Sequence, residues 1–448
     1  MDKRTENMLK EPIFPLLVNM SAPNTIAFLV QAVVVLTEVW LIGRLGTSAL
    51  AAVALAFPVI MLTQQMAFGA LGGAVSSSLA RSLGAGDKQR AEELLWHALF
   101  LAACGALFFL SVFYISGELL LQILGGKGEL LEQAIAYCRV FLLGAIVIWL
   151  SGTLSAALRG IGNMRFPALL IIFGSGLQVT LAGGLILGWF GLPRLGIIGA
   201  PLAAILSGIF MSSAMLIKLS YFSQEVELTL KRLSLKKDLF EDIFSVALPA
   251  SLSPIFTVAT ILVLTAFVGQ FGASALAGYG IGSRIEFLMI PLVFGIGTAM
   301  TTMVGTNMGA KNIHRAERIG WLGGSLAGFF SGIIGLLLAI SADYWINFFT
   351  TDENAYEATK AYIQIVGLWF TIQGLGLALY FASQGANAMK WPMIATGSRF
   401  ILASLGGWLA INYFSIGLNG VFYSAALAMT LYGLILVISL KLGAWRKN

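Results

Sequence analysis

Twelve stretches of apolar residues bounded by polar or Gly/Pro breaks occupy most of the chain, and each reaches the roughly 20 residues that a helix needs to cross a bilayer. In hydrocarbon every backbone N–H and C=O must find a partner inside the segment. The runs also lack the alternation of a barrel wall, so α-helix is the form left to them. They read Ile13 to Leu45, Thr47 to Leu83, Ala91 to Ser116, Glu129 to Leu158, Phe166 to Phe190 and Ile197 to Ser220, then Lys237 to Phe271, Ala273 to Met308, Arg315 to Phe348, Glu353 to Gln384, Trp391 to Asn412 and Leu418 to Leu442. Of 448 residues, 58% are hydrophobic and 11% charged. A soluble domain carries about 25% charged residues, so a water-soluble enzyme or a nucleic-acid binder is excluded. The fold class is an all-α integral membrane protein of twelve transmembrane helices.

Charge placement supplies the orientation. With the N-terminus inside, twenty Lys and Arg residues fall in cytoplasmic segments and four, Arg44, Lys127, Arg194 and Lys360, on the other side. The positive-inside bias then puts both termini in the cytoplasm and accounts for the net charge of +6 without nucleic acid. Cys104 and Cys138 sit in apolar stretches, and His97 and His314 lie far apart at polar helix ends, so neither a disulfide framework nor a histidine metal centre is expected. No cofactor is implied, and no G-x-x-x-x-G-K-[ST] loop marks an ATP site. The short charged start MDKRTENMLKEPIF lacks a small-residue cleavage site and is expected to be retained.

The chain is duplicated. TSALAA at Thr47 to Ala52 recurs as ASALAG at Ala273 to Gly278, and LGAGDKQRAE at Leu83 to Glu92 recurs as MGAKNIHRAE at Met308 to Glu317. Pro23 maps to Pro249, Gly72 to Gly297, Tyr137 to Tyr362, Gly160 to Gly385 and Pro167 to Pro392, all at an offset of 225 or 226. Six helices per copy, an even number, give both halves the same orientation, which is a plan that transporters use around a central substrate site. The domains expected are an N-terminal lobe over 1–220, a cytoplasmic linker over 221–240 and a C-terminal lobe over 241–448, the linker serving as hinge strap or simply as a solvated loop.

These repeated words, ALAA followed by a Pro-containing, Gly-rich helix and G-A-G-D-K-Q-R-A, resemble the multidrug and toxic compound extrusion (MATE) family over essentially the whole length, nearer its DinF-like branch. The resemblance implies alternating-access export of organic cations or drug-like small molecules by a monomer, with protons or, less favoured, sodium moving the other way. It also places Glu38, eleven residues before Ala49 of ALAA, where MATE proteins commonly carry the acid of the first helix. Where the DinF-like branch tends to carry an Asn and an Asp in its fifth helix, this chain has Gln178 and Ala182. Where NorM-like members carry acids in the seventh and tenth helices, it has Thr257 and Gln373. Sodium wants several hard, anionic oxygens, so these departures favour the proton.

Physical reasoning reaches Glu38 independently. A carboxylate within a span costs about 2.5–3.5 kcal/mol even on the lenient insertion scale, and only Glu38 and Glu286 stand there. A carboxyl group in such a place can bind a proton from one side and release it when its surroundings repack. Gln31, seven residues earlier on nearly the same face, and Gln178 are its expected hydrogen-bond partners. Glu286 and Arg284 are second-ranked, as substrate-cavity residues or structural ion-pair members. Pro58 and Pro291 are candidate hinges. Phe57, Met61, Met289 and Met303, together with Gln373, are candidates for a soft cavity lining, set against plain packing or lipid contact. Two rivals stand beside export of cations: a lipid-linked oligosaccharide flippase, which would want more embedded bases than Arg139, Arg284 and Arg399, and a membrane-embedded enzyme, which would need a nucleophile or metal cluster.

Overall fold

The computed structural model describes residues 2–223, 225–286 and 289–447. Its helices in chain order are α1 (Lys3–Lys10), α2 (Ile13–Gly43), α3 (Thr47–Gln64), α4 (Gly72–Gly84), α5 (Lys88–Ile123), α6 (Gly128–Leu143), α7 (Ala145–Gly160), α8 (Arg165–Leu187) and α9 (Gly199–Tyr221), followed by α10 (Lys237–Gly269), α11 (Ala273–Glu286), α12 (Ile290–Gly309), α13 (Ile313–Ile340), α14 (Ala342–Trp345), α15 (Glu353–Val366), α16 (Phe370–Gly385), α17 (Lys390–Asn412) and α18 (Leu418–Lys441). Eleven stretches are continuous, long and apolar enough to span, and α6 with α7, bent by 49°, makes the twelfth. The spans agree with those read from the sequence, and no strand occurs among the described residues.

Three of the spans are interrupted among the described residues. The second leaves α3 for a π turn at Gln65–Leu71, seven residues after Pro58. The fourth bends at Gly144 and the tenth carries a 3-10 turn at Gly367–Trp369. Phe287 and Leu288, between α11 and α12, lie outside the described residues. The bend at Gly144 and the turn at Gly367–Trp369 fall in corresponding spans, the fourth of each repeat.

By packing, the chain forms two units, Met1–Lys10 with Ile26–Ala247, and Glu11–Thr25 with Leu248–Asn448. These differ from a division at 220 and 241 because two spans are shared. The start of α2 packs into unit 2, where Gly295 leaves room for Thr25 and Asn24 Nδ2 donates to Thr298 Oγ1 at 3.1 Å. The start of α10 packs into unit 1, where Arg90 pairs with Asp238 and Asp242 and Arg81 pairs with Asp242. The crossings lie within three residues of Pro23 and Pro249, a repeated pair.

The linker is fastened along its length to unit 1. Arg4 pairs with Glu225 at 2.8 Å, Trp96 Nε1 donates to the Thr229 carbonyl at 2.9 Å, and Arg232 pairs with Glu92 at 3.2 Å. Lys236 is held twice, its ammonium by Glu93 at 2.7 Å and its backbone N–H by His97 Nε2 at 2.8 Å. The linker is therefore a bound segment of unit 1.

Within each unit the helices pair alike. In unit 1, α3 packs on α6, α4 and α5 on α7, and α8 on α9; in unit 2, α11 packs on α15, α12 and α13 on α16, and α17 on α18. The repeated glycines explain part of this. A Cβ on Gly160 would lie 2.8 Å from the Ser76 carbonyl oxygen of α4, and one on Gly385 would lie 2.4 Å from the Thr301 carbonyl oxygen of α12. The repeated G-A-x-[DN] word is a turn: Gly86 and Lys311 take positive φ of 81° and 59° just before Asp87 and Asn312, the N-cap residues of α5 and α13. Asp87 caps α5 by accepting from the Arg90 N–H at 2.9 Å.

Gly385→Ala is therefore expected to destabilise the purified protein by about 1–3 kcal/mol, because one backbone must move off another. Gly176→Ala, where nothing lies within 4 Å, is expected to leave the melting temperature unchanged or raise it. Equal melting temperatures for the two variants in detergent would contradict the close crossing.

Candidate functional site

In unit 1, α2 and α8 bring Glu38 and Gln178 together. Gln178 is buried, and its Nε2 donates to Glu38 Oε1 at 2.8 Å. Its Oε1 faces Ser207 Oγ of α9 at 3.5 Å, a hydroxyl that also donates to the Ala204 carbonyl at 3.0 Å. The buried phenol of Tyr137, from α6, lies close enough to feel the Glu38 charge. Glu38 Oε2 has no hydrogen-bond partner among the described residues. The arrangement holds one carboxylate oxygen by a neutral donor and leaves the other for a proton or a small cation.

Gln31 is not part of this arrangement. Seven residues along α2 amount to about 10 Å of axial rise, and Gln31 makes no hydrogen bond among the described residues. Sharing a helix face was not enough, because Gln178 approaches from a neighbouring helix at the level of the acid. Ala182, one turn beyond Gln178, is fully buried and supplies no ligand atom. Ser207 and Tyr137 were missed by sequence reasoning as site residues. For Ser207 no local signal exists, whereas Tyr137 was visible as a repeated residue.

In unit 2 the second embedded acid finds a comparable setting. Tyr362 Oη donates to Glu286 Oε2 at 2.8 Å, and Tyr362 is the repeat counterpart of Tyr137. Tyr279, Tyr362 and Phe422 meet ring against ring, with centroids 5.4 Å apart for the two tyrosines and 5.2 Å for Tyr362 and Phe422. Arg284 does not join Glu286: it is exposed and makes no ion pair among the described residues. Gln373 is buried with its Oε1 unpartnered.

The proposed lining residues divide. Phe57 is 49% exposed and Met61 half-buried, whereas Met289 and Met303 are 1% and 0% exposed. Met289 packs in the core of unit 2 with Tyr279 and Tyr362, so neither methionine offers surface to a solute in this arrangement. Pro58 lies inside α3 ahead of the π turn, and Pro291 lies in the first turn of α12. Among the described residues no group of three or more His, Cys, Asp or Glu side chains is placed to hold a metal ion.

Two copies of a six-span helical unit, with the fourth span of each interrupted and an acid bound to a neutral side chain in each, define a multi-pass membrane transporter rather than an enzyme. Comparison with known proteins agrees. The MatE family model matches residues 23–182 and 249–409, and the chain belongs to that family. It is 26% identical to a probable multidrug resistance protein NorM of Thermotoga maritima over 91% of this chain and 88% of that one. It is 27% identical to an FAD transporter of Shewanella oneidensis (87% and 86% covered) and 24% identical to the multidrug export protein MepA of Staphylococcus aureus (95% and 93%). Among solved structures it superposes on an MOP superfamily transporter from Pyrococcus furiosus with a TM-score of 0.92 at 25% identity, both chains covered in full. An outward-facing multidrug resistance MATE family transporter matches with a TM-score of 0.91, again at 25% identity and full coverage.

The geometry separates the two glutamines. Gln178→Leu removes the donor to Glu38 and is expected to slow transport by roughly tenfold or more, in line with about 1.5–3 kcal/mol for a hydrogen bond to a charged group. Gln31→Leu is expected to stay within twofold of the parent rate. Initial rates of solute uptake into inverted vesicles, normalised to the amount of folded protein, decide between them, and equal rates for the two variants would refute the assignment.

Proposed function

We propose that the protein exports organic cations or drug-like compounds from a prokaryotic cell by proton antiport, with both termini cytoplasmic and the monomer as the working unit. The observation that carries the reading is Glu38, embedded in a span, with one oxygen held by Gln178 and the other free. A proton bound there neutralises the acid; its release restores a charge that attracts a cation. The names of the bacterial relatives, multidrug resistance and multidrug export proteins, support the solute class. The Gln178 amide presents its donor, not its oxygen, to Glu38, which supports a proton over a sodium ion at this place, since sodium would require oxygen ligands. Multi-pass insertion among membrane lipids and the Lys and Arg bias support the orientation.

A monovalent cation exchanged one for one with a proton moves no net charge, so the pH gradient drives the exchange, each pH unit supplying about 1.4 kcal/mol and sustaining an approximately tenfold solute gradient.

In proteoliposomes loaded with ethidium, an imposed pH gradient is expected to drive dye movement and a sodium gradient is not. Glu38→Gln should reduce pH-driven movement and solute-driven proton release at least tenfold while leaving the melting temperature within a few degrees. Undiminished exchange in that variant removes Glu38 from the mechanism, and sodium-driven movement in the parent overturns the choice of ion.

A further inference from the structure

The linker borders a cavity that the export cycle does not use. It has a volume of about 720 Å³, lies between the linker and the first turns of α5, and is lined by Glu92, Glu227, Thr229, Leu230, Lys231 and Arg232. Glu92 is buried and already engaged: its Oε2 accepts from Arg232 Nε at 3.2 Å and its Oε1 from the Glu227 backbone N–H at 3.4 Å. Other groups are open. The exposed Glu227 carboxylate and Lys231 ammonium take no hydrogen bond or ion pair among the described residues, and the terminal nitrogens of Arg232 take no hydrogen bond there. Two carboxylates against two cations make the lining neutral as a whole, with one free acid beside free donors for an anion.

The cavity sits at the depth of lipid headgroups. Helix α5 has 36 residues and is about 54 Å long, roughly 24 Å longer than a hydrocarbon core of about 30 Å. Shared equally between the two ends, the excess is about 12 Å at each, which is the rise from Lys88 to Trp96. Trp96 holds the linker at that level, its indole N–H 2.9 Å from the Thr229 carbonyl oxygen. The Leu228 N–H donates to the Leu219 carbonyl, in the last turn of α9, at 3.1 Å. The linker thus runs along the ends of two spans and does not hang below them. Its leucines are bare: Leu230, on the cavity wall, is 78% exposed, and Leu233 and Leu235 are 57% and 61% exposed. Exposed leucines are unfavourable in water and favourable against acyl chains at the membrane boundary.

We propose that this cavity is a headgroup site for a phospholipid whose phosphodiester carries a primary ammonium, as in phosphatidylethanolamine. Lys231 and the terminal nitrogens of Arg232 donate to the phosphate, the lipid ammonium donates to Glu227, and Leu230 packs on the upper part of the acyl chains. A headgroup that is only anionic would leave Glu227 facing a like charge. A trimethylammonium group has no N–H to give to Glu227, and no aromatic ring stands among the described lining residues to hold it instead. Binding needs neither a solute nor an ion gradient, so the site is independent of the proton reading. Only its leaflet, the cytoplasmic one, rests on the orientation proposed above.

The test is native mass spectrometry of the purified full-length protein in detergent, titrated at one pH with phosphatidylethanolamine, phosphatidylcholine and phosphatidylglycerol of identical acyl chains. The parent is expected to bind the first at least about fivefold more tightly than either of the others. Glu227→Gln should weaken phosphatidylethanolamine by about fivefold or more and leave phosphatidylglycerol no weaker, whereas Lys231→Gln should weaken both. Lys237→Gln, whose parent side chain pairs with Glu241 at 3.4 Å outside the cavity, should change neither. Glycerophosphoethanolamine, the same headgroup without acyl chains, should bind roughly a hundredfold more weakly than the lipid, and Leu230→Ser should narrow that difference. Parent affinities within about twofold for the three lipids, which an unselective lipid annulus gives, would overturn the proposal. So would tightest binding of phosphatidylglycerol, unchanged binding in both Glu227→Gln and Lys231→Gln, or a loss in Lys237→Gln equal to that in Lys231→Gln. Glycerophosphoethanolamine binding as tightly as the lipid would make the ligand a soluble zwitterion and overturn it as well.

Discussion

An unpaired backbone N–H or C=O in hydrocarbon costs several kcal/mol, and the rest of this structure is arranged under that constraint. It makes every long apolar run a helix, and it makes each departure from regular helix conspicuous. Among the described residues they are the π turn in the second span and, placed alike in both halves, the bend at Gly144 and the 3-10 turn at Gly367–Trp369 in the fourth span of each copy. Such irregular backbone persists where packed protein re-satisfies the freed groups, which is where transporters build their sites. Gly160 and Gly385 show the other face of the same economy: helices that bury their backbones against each other shut out lipid as well as water.

Once helices are fixed, the few charges in the spans determine the chemistry. Glu38 and Glu286 are both half-buried and both bound by a neutral donor, an amide in one case and a phenol in the other. A neutral donor stabilises the carboxylate without cancelling its charge, so either acid keeps a net attraction for a cation or a proton. An arginine in the place of Gln178 would make a salt bridge that is expensive to break. By contrast, several charges outside the spans are neutralised in pairs. The RAE glutamate of each repeat holds an arginine from the segment that follows the sixth span of its copy: Glu92 holds Arg232, and Glu317 holds Arg446 through two bonds of 2.7 Å. Next to that arginine the fully buried Trp445 packs on Gly320 and donates to Ser383 Oγ at 3.3 Å, so the chain's last turn is part of unit 2.

Span positions, duplication and the embedding of Glu38 within a span were legible in the sequence because each rests on a local feature: apolar length, repeated words, a carboxylate in a greasy run. The partner of Glu38 was half legible. Gln31 and Gln178 have the same chemistry, and the choice between them depends on where α8 crosses α2, which no local pattern encodes. Ser207 was not legible at all, since a serine in a membrane helix commonly bonds its own backbone, as Ser207 does with Ala204. The methionines illustrate the reverse error: Met289 and Met303 have the right chemistry for an adaptable surface, but they are packed in the interior of unit 2. Where the units divide was also hidden, because helices α2 and α10 are continuous in sequence and change packing partners near a proline.

Duplication followed by divergence explains why the two acids need not do the same work. The tyrosine is common to both copies, so the ancestral unit offered a phenol at that level of the fourth span. Copy one places a glutamine from its fifth span beside an acid from its first; copy two places the tyrosine itself beside an acid from its second. The counterpart of Glu38 in the second copy is the buried Leu264. The two copies have thus kept the phenol and diverged in where the acid stands and in which neutral donor, an amide or the phenol, holds it.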